Sequence, residues 1–123
     1  MSDEVRYNIN TDVQFDGLEL IDIPQIVEAC EDDWFNQTLC RVNACVVRLG
    51  VIRGSFHWHK HDDEDEFFYV VNGKLYVDLD GGVVEVGPQQ GYTVPRGVRH
   101  RTRAPEGVVI LMVEGSGVVP TGD

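Results

Sequence analysis

Short apolar or alternating stretches separated by turn residues make up most of the chain after residue 39. Apolar and polar side chains alternate over residues 75–79, and continuous apolar runs cover residues 67–71 and 108–113. Stretches of this length between glycine-containing turns are typical of β-strands rather than of helices. The pattern predicts an all-β fold of seven or eight short strands, arranged as a sandwich or a barrel.

Two glycine-containing turns set the expected connections between these strands. Asn72-Gly73 follows an apolar run and predicts a two-residue hairpin, because a type I′ turn needs positive φ at both positions. Asp80-Gly81-Gly82 predicts a second hairpin, between the strands at 75–79 and 83–86. The stretch 41–49 is rich in β-branched residues and is expected to be strand.

The N-terminal third has a different pattern. Residues 1–22 are mixed and polar, which indicates a loose arm or an edge strand, and Asp22-Ile23-Pro24 followed by residues 25–30 predicts one short helix. Proline fits the first turn of a helix because its missing N–H would have no partner there. The expected organisation is an arm and helix that pack on the barrel or on a dimer partner (1–38), a barrel (39–115) and a C-terminal tail (116–123).

Composition and charge exclude several classes of partner. The chain has 123 residues, enough for one domain, and its formal net charge of −11 argues against nucleic acid or an anionic membrane surface as a partner. No apolar run reaches the ~18 residues that cross a bilayer, and the acidic N-terminus does not resemble a secretory signal. Cys30, Cys40 and Cys45 are interpreted as reduced thiols of a cytoplasmic protein.

The four histidines are the candidate metal ligands. His57, His59 and His61 alternate along the chain, and His100 follows a turn far downstream. Alternate residues of a strand share a face, but His57 and His61 would lie roughly 13 Å apart, whereas two nitrogens on one ion are only ~3–4 Å apart. A straight strand therefore supplies one adjacent pair, either His57 with His59 or His59 with His61.

Glu66 opens the apolar strand that follows the histidines. A hairpin after His61 would bring Glu66 back beside His59 and His61. An unpaired carboxylate is costly to bury, and a cation would compensate it. Phe68 and Val70 share the parity of Glu66 and are expected to line the same interior.

Two motifs resemble those of the cupin superfamily. Trp58-His59-Lys60-His61, followed by Glu66 and Gly73, resembles the first cupin motif, and the segment 91–100 resembles the second, centred on Pro95-x-Gly97-x-x-His100. The resemblance covers roughly residues 46–113, and the chain is similar to small single-domain cupins that are loosely labelled mannose-6-phosphate isomerase-like. It implies a double-stranded β-helix, that is, a jelly-roll barrel, here with a short N-terminal helix. It also implies one divalent transition metal, held by His59, His61, Glu66 and His100.

The identity of the metal and of the catalytic residues stays open. Three imidazoles and one carboxylate suit Mn, Fe, Ni, Co or Zn, and the ligand types do not choose among these metals. The candidates for a catalytic role are His57, which shares a strand face with His59, the Tyr92 hydroxyl, and Arg96. Arg96 lies in the turn before His100, where it is expected to reach over the pocket mouth and bind an anionic group. Arg48 is a second candidate for that contact, if its side chain points inward.

The first function hypothesis is an isomerase or lyase that acts on a small, polar hydroxy-carbonyl or sugar-like substrate, which an arginine would hold if it is anionic. The alternatives are an Fe(II) dioxygenase and a non-catalytic, metal-dependent ligand-binding or sensor module. The resemblance also implies a homodimer in which the N-terminal segments pair across the two subunits.

Overall fold

The computed structural model describes residues 7–122 and is built mainly from β-strands. The elements are β1 (Asn8–Asn10), α1 (Ile23–Ala29), β2 (Trp34–Val42), β3 (Cys45–Ser55), β4 (Glu66–Gly73), β5 (Leu75–Leu79), β6 (Gly82–Val86), β7 (Gly91–Val94) and β8 (His100–Gly115). The predicted all-β class and the short N-terminal helix are confirmed. Within the described part of the chain, no helix is long and apolar enough to cross a membrane.

The long strand β8 organises the sheet. It pairs antiparallel with β3 along one edge and with β4 and β5 along the other, which gives the order β1-β2-β3-β8-β4-β7 with β5 and β6 on a branch. The first residues of β8, 100–103, pair with β5, and residues 108–114 pair with β4. One strand therefore takes part in both halves of the jelly roll.

The hydrophobic core lies between these two halves. Its largest fully buried apolar side chains are Leu75 and Ile110, and Val70 and Val77 are also completely excluded from solvent. Burial of a leucine- or isoleucine-sized side chain stabilises a fold by about 1.5–3 kcal/mol. This core holds the strand ends that carry the polar site in fixed positions.

The predicted hairpin at Asn72-Gly73 is wrong. The strand before it, β4, pairs with β7 and β8, and the strand after it, β5, pairs with β6 and β8, so the chain bends there and continues along β8. Gly73 has a φ of 89°, and a Cβ placed on it would lie 2.6 Å from the carbonyl oxygen of Gly107. Glycine is required here for the close approach of two backbones, a need that the local sequence does not distinguish from that of a tight turn.

Two strand boundaries also differ from the expectation. A turn at Asn43-Ala44 divides the stretch 41–49 between β2 and β3, and Val42 pairs with Cys45. Asn43 has a φ of 53°, a conformation that asparagine tolerates better than most residues. The sheet also begins before residue 39, because β2 starts at Trp34.

The N-terminal elements agree with the expected pattern. Asp22 caps α1, its side chain accepting a hydrogen bond from the backbone N–H of Gln25, and Pro24 lies in the first turn. The three residues of β1 pair in parallel with β2 and form an edge of the sheet. The hairpin at Asp80-Gly81 is confirmed by the pairing of Leu79 with Gly82.

Candidate metal centre

The polar site is assembled from the starts of strands at one end of the molecule. Glu66 is the first residue of β4 and His100 is the first residue of β8. His59 and His100 exchange two backbone hydrogen bonds, each 2.9 Å long. The carbonyl oxygen of His61 accepts a hydrogen bond of 2.7 Å from the backbone N–H of Gly97, which belongs to the turn before β8. Backbone contacts thus hold all four side chains close together.

The four predicted ligands form one cluster. One ligand atom from each of His59, His61, Glu66 and His100 lies within 4.8 Å of the others. Three of these side chains are buried, His100 completely, while His59 is partly exposed. Histidine and glutamate side chains are rarely buried unless a hydrogen-bonding group or a cation compensates for the loss of water.

Backbone carbonyls orient two of the imidazole rings. The Nδ1–H of His59 donates to the carbonyl oxygen of His57 over 3.0 Å, and the Nδ1–H of His100 donates to the carbonyl oxygen of Val98 over 2.9 Å. A neutral ring that donates through Nδ1 keeps a lone pair on Nε2. This arrangement is the one that orients metal-binding histidines in many proteins.

The remaining contacts place acceptors against one another. His100 Nε2 lies 3.2 Å from Glu66 Oε1, so a neutral His100 directs a lone pair at a carboxylate oxygen. Both ring nitrogens of His61 are buried and have no hydrogen-bond partner among the described residues, and its Nε2 lies 3.6 Å from the same Glu66 oxygen. A divalent cation would satisfy all of these atoms at once, so the residues present fit a metal ion.

The protonation states also suit a metal. Burial lowers the pKa of His59 to about 4, so its ring is neutral at pH 7. Burial alone would raise the pKa of Glu66, but the neighbouring side chains of His100, His61 and Glu114 outweigh it and hold the pKa well below its ordinary value. Neutral imidazoles and an ionised carboxylate are the forms that bind metal ions.

A buried contact between Arg48 and Glu114 lies beside the cluster. Glu114 of β8 is directly opposite Glu66 in the sheet, and its Oε1 lies 2.9 Å from the Nε of Arg48 on β3. Burial and the neighbouring Glu66 carboxylate raise the pKa of Glu114 to about 9. Arg48 therefore does point inward, as one sequence hypothesis required, but its guanidinium is engaged by Glu114 and by the carbonyl oxygen of Val118.

A small cavity of about 30 Å³ adjoins the cluster, and His59 and Glu66 form part of its wall. The rings of Trp34 and Phe56, whose centroids are 5.0 Å apart and whose planes are nearly parallel, form another part of the wall. Phe68 also lines the cavity and Val70 is fully buried, which agrees with the interior positions expected from their parity with Glu66.

Residues 116–122, termed here the C-terminal segment, lie against this end of the molecule. His57 Nε2 lies 2.6 Å from the carbonyl oxygen of Thr121, and Pro120 lines the cavity. Gly122 is so close to His59 that an added Cβ would lie 2.6 Å from the His59 Cβ. The last residue, Asp123, lies outside the described residues.

The expectation that His57, His59 and His61 share a strand face is wrong. Between β3 and β4 the chain is irregular except for the single bridge that His59 makes with His100. The His57 side chain is exposed and its ring stacks on Phe56 with centroids 4.2 Å apart, whereas His61 is buried. The pairing of His59 with His61 follows from this irregular path and not from strand alternation.

Arg96 does not reach over the cavity as expected. Its side chain is largely exposed, its Nε lies 3.5 Å from Asp65 Oδ1, and its backbone N–H donates to that same oxygen over 2.9 Å. The Asp65 carboxylate thus fixes the turn and holds the guanidinium on the outside. Tyr92 is half-buried opposite Phe68 in the β4–β7 pairing and packs against the core.

Two other arginines, Arg101 and Arg103, point away from the cluster. Arg101 and Arg103 both donate to Asp78, at distances of 2.8–3.1 Å, on the outer side of β5 and β8. Burial alone would raise the pKa of Asp78, but the hydrogen bonds from Arg103 and Arg101 outweigh it and lower the pKa. Arg99 lies 3.1 Å from the exposed carboxylate of Asp80.

A family model described as the cupin domain matches residues 46–114, a range that contains all four residues of the cluster. The chain belongs to the cupin family. Like other cupins, it has the jelly-roll topology that its sequence motifs predict.

Several known proteins are similar to this chain in sequence or in structure. The uncharacterized protein YdbB of Bacillus subtilis is 38% identical over 80 residues, which are 64% of this chain and 71% of YdbB. A cupin-2 domain protein from Shewanella frigidimarina has a TM-score of 0.74 and 26% identity, and the alignment covers 78% of this chain and 94% of that one. Polyketide synthase CurC of Streptomyces cyaneus is 47% identical over 45 residues, 37% of this chain and 29% of CurC.

Proposed function

We propose that this cupin is a metal-dependent enzyme of the isomerase or lyase type that acts on a small hydroxy-carbonyl compound. The observation that carries the metal assignment is the 3.2 Å approach of His100 Nε2 to Glu66 Oε1, while His100 Nδ1 is already engaged by Val98. His59, His61, Glu66 and His100 would hold one divalent transition metal, namely Mn, Fe, Ni, Co or Zn.

Such an ion would polarise a carbonyl group and stabilise negative charge on adjacent oxygens. The chain's own residues prepare the site for it. His57 and Val98 fix two imidazoles by their carbonyl oxygens, and the apolar wall beside Glu66 excludes water. The name of the relative CurC gives modest support for a carbonyl substrate, since polyketides carry several carbonyl groups.

The first test is elemental analysis of protein purified without added metal. We expect close to one transition-metal ion per chain in the wild type and in His57→Ala, whose ring is outside the cluster. His59→Ala and His100→Gln should lose it while keeping a folded far-UV spectrum. Equal metal content in folded His100→Gln and wild type would overturn the proposal.

Turnover assays on the metal-loaded protein then separate the reaction classes. Isomerisation or elimination without oxygen supports the proposed enzyme. Turnover that depends strictly on O₂ would instead identify an Fe(II) dioxygenase, and tight ligand binding without product would identify a sensor module. Both results would reject the isomerase or lyase assignment.

We further propose a cytoplasmic homodimer. The N-terminal region exposes Leu18 almost completely and Leu20 for 89% of its surface, and α1 buries none of its residues. Exposed apolar groups of this size next to an edge strand indicate a surface that a second copy covers. The cytoplasmic location is supported by the three free cysteines.

A further inference from the structure

The cavity beside the metal ligands is too small for the substrate proposed above. Its volume is about 30 Å³, and one water molecule takes up roughly 10–15 Å³ on this scale, so the cavity holds only two or three water-sized groups. A hydroxy-carbonyl compound contains at least two carbon and two oxygen atoms. Part of the cavity wall must therefore move before such a compound reaches the metal centre.

Most of this wall belongs to the body of the sheet. Eight of its eleven lining residues lie in β2, β3, β4 or β8. Two more are tied to β8 by backbone hydrogen bonds, since the N–H of Phe56 donates to the carbonyl oxygen of Thr102 over 2.9 Å and His59 exchanges two bonds with His100. Movement of any of these residues would disrupt the strand pairing that positions the metal ligands.

Pro120 is the remaining described residue of the wall, and it lies outside the sheet. It has no N–H that could join a strand. Pro120 belongs to a turn at residues 119–122, which is closed by a hydrogen bond of 2.9 Å from the N–H of Gly122 to the carbonyl oxygen of Val119. The turn follows Val118, which is buried and anchors the chain. It can move as a unit beyond this anchor without disturbing a strand.

A single hydrogen bond joins this turn to the rest of the described chain. Nε2 of His57 lies 2.6 Å from the carbonyl oxygen of Thr121, and because a carbonyl only accepts, Nε2 carries the proton. The His57 ring also stacks on Phe56, with centroids 4.2 Å apart. Since Phe56 lines the cavity, His57 connects the movable turn to the fixed part of the wall.

We propose that the turn at residues 119–122 is a gate over the metal centre and that His57 is its latch, an inference that rests on the metal function proposed above. In the closed form Pro120 completes the cavity wall and Gly122 lies close to His59, the most exposed of the four ligands. When the hydrogen bond from His57 breaks, the turn moves away from His59 and a ligand enters from that side. Opening costs one exposed hydrogen bond and leaves the paired strands intact.

The experiment measures how fast acetohydroxamate, which binds metal ions through two adjacent oxygens, reaches cobalt(II) in the loaded full-length protein. Binding is followed by stopped-flow recording of the visible absorption of the cobalt ion. His57→Phe keeps an aromatic ring beside Phe56 but cannot donate to Thr121, so its association rate should be about fivefold or more above that of the wild type. Pro120→Gly removes the ring from the cavity wall and should also bind faster.

Thr121→Ala is the matched control. His57 contacts the backbone carbonyl oxygen of Thr121, which this substitution keeps, so the association rate should equal that of the wild type. Equal rates in the wild type, His57→Phe and Pro120→Gly would overturn the gate. An increase in Thr121→Ala as large as that in His57→Phe would overturn the role of His57 as the latch.

The cobalt content separates this inference from the proposed function. A wild-type protein that binds no cobalt would reject the metal-dependent function itself. One cobalt ion per chain in every variant, with a folded far-UV spectrum, shows that the substitutions leave the site intact. With that content, no spectral change on addition of acetohydroxamate to any of these proteins would reject only the gate, because the ligand would not reach the ion even after the latch is removed.

Discussion

The Nε of Arg48 lies 2.9 Å from the Oε1 of Glu114, and both side chains are almost completely excluded from solvent. Glu114 is directly opposite Glu66 in the pairing of β4 with β8, so the contact connects β3 to the strand that carries a metal ligand. Burial and the neighbouring Glu66 carboxylate hold the pKa of Glu114 well above its ordinary value, so the ionised form of Glu114 is disfavoured beside the metal ligands.

Glu114→Gln should be tolerated, because its amide oxygen can still accept a hydrogen bond from Arg48 and the raised pKa of Glu114 already disfavours the charged form. We expect its free energy of unfolding, measured by urea denaturation at pH 7, to fall by about 1 kcal/mol or less. Glu114→Leu leaves Arg48 buried without its partner and should cost about 3–5 kcal/mol. Similar losses in both variants would show that Glu114 is ionised in the folded protein.

The contacts of Asp78 with Arg101 and Arg103 should make the free energy of unfolding depend on pH in the acidic range. The folded-state pKa of Asp78 lies below its ordinary value of 3.8, so its contribution is complete above that pH. As the pH falls below 3.8 the unfolded chain takes up the proton first, and the stability contribution is lost as the pH approaches the lower folded pKa.

Asp78→Asn should lower the free energy of unfolding by about 1–3 kcal/mol at pH 7. The variant should also lose less of its remaining free energy of unfolding than the wild type when the pH falls below 4. Asp80→Asn is the control, because the pair that Asp80 forms with Arg99 is exposed and should contribute little. The same acid dependence in Asp78→Asn and wild type would contradict this prediction.

Gly73 should be intolerant of substitution. Alanine there would combine a φ of 89° with a Cβ only 2.6 Å from the Gly107 carbonyl oxygen, and a positive φ alone costs about 1–3 kcal/mol. Gly81→Ala, where nothing lies within 4 Å of the added Cβ, is the matched control. Thermal unfolding should show a clear drop in Tm for Gly73→Ala and little change for Gly81→Ala, and equal Tm values would argue against the close approach.

The exposed leucines of the N-terminal region test the proposed dimer. Light scattering should give a mass of about twice 13.8 kDa for the wild type and close to 13.8 kDa for the double variant Leu18→Glu, Leu20→Glu. Val83→Glu introduces the same charge at another exposed apolar position, on β6, and should remain dimeric. A monomeric wild type would rule out this interface.

The two cupin motifs were sufficient to name the cluster, whereas strand alternation left two histidine pairs open. His59 and His61 lie two residues apart, Glu66 starts an apolar strand, and His100 follows a turn of proline and glycine. Arg48 and Glu114 carry no such signal, since their contact depends on the register of β3 against β8. The position of Pro120 in the cavity wall was also unpredictable, because it depends on packing between distant parts of the chain.

The C-terminal segment has a practical consequence for work on this protein. A Cβ added to Gly122 would lie 3.2 Å from the Cγ of His59, so a polyhistidine tag fused to the C-terminal segment would be tethered near the metal ligands and bring competing imidazoles to them. The metal content measured for such a fusion would include metal bound by the tag as well as metal bound at the site. The number of metal ions per chain should therefore be measured on tag-free protein, where His59, His61, Glu66 and His100 are the proposed ligands.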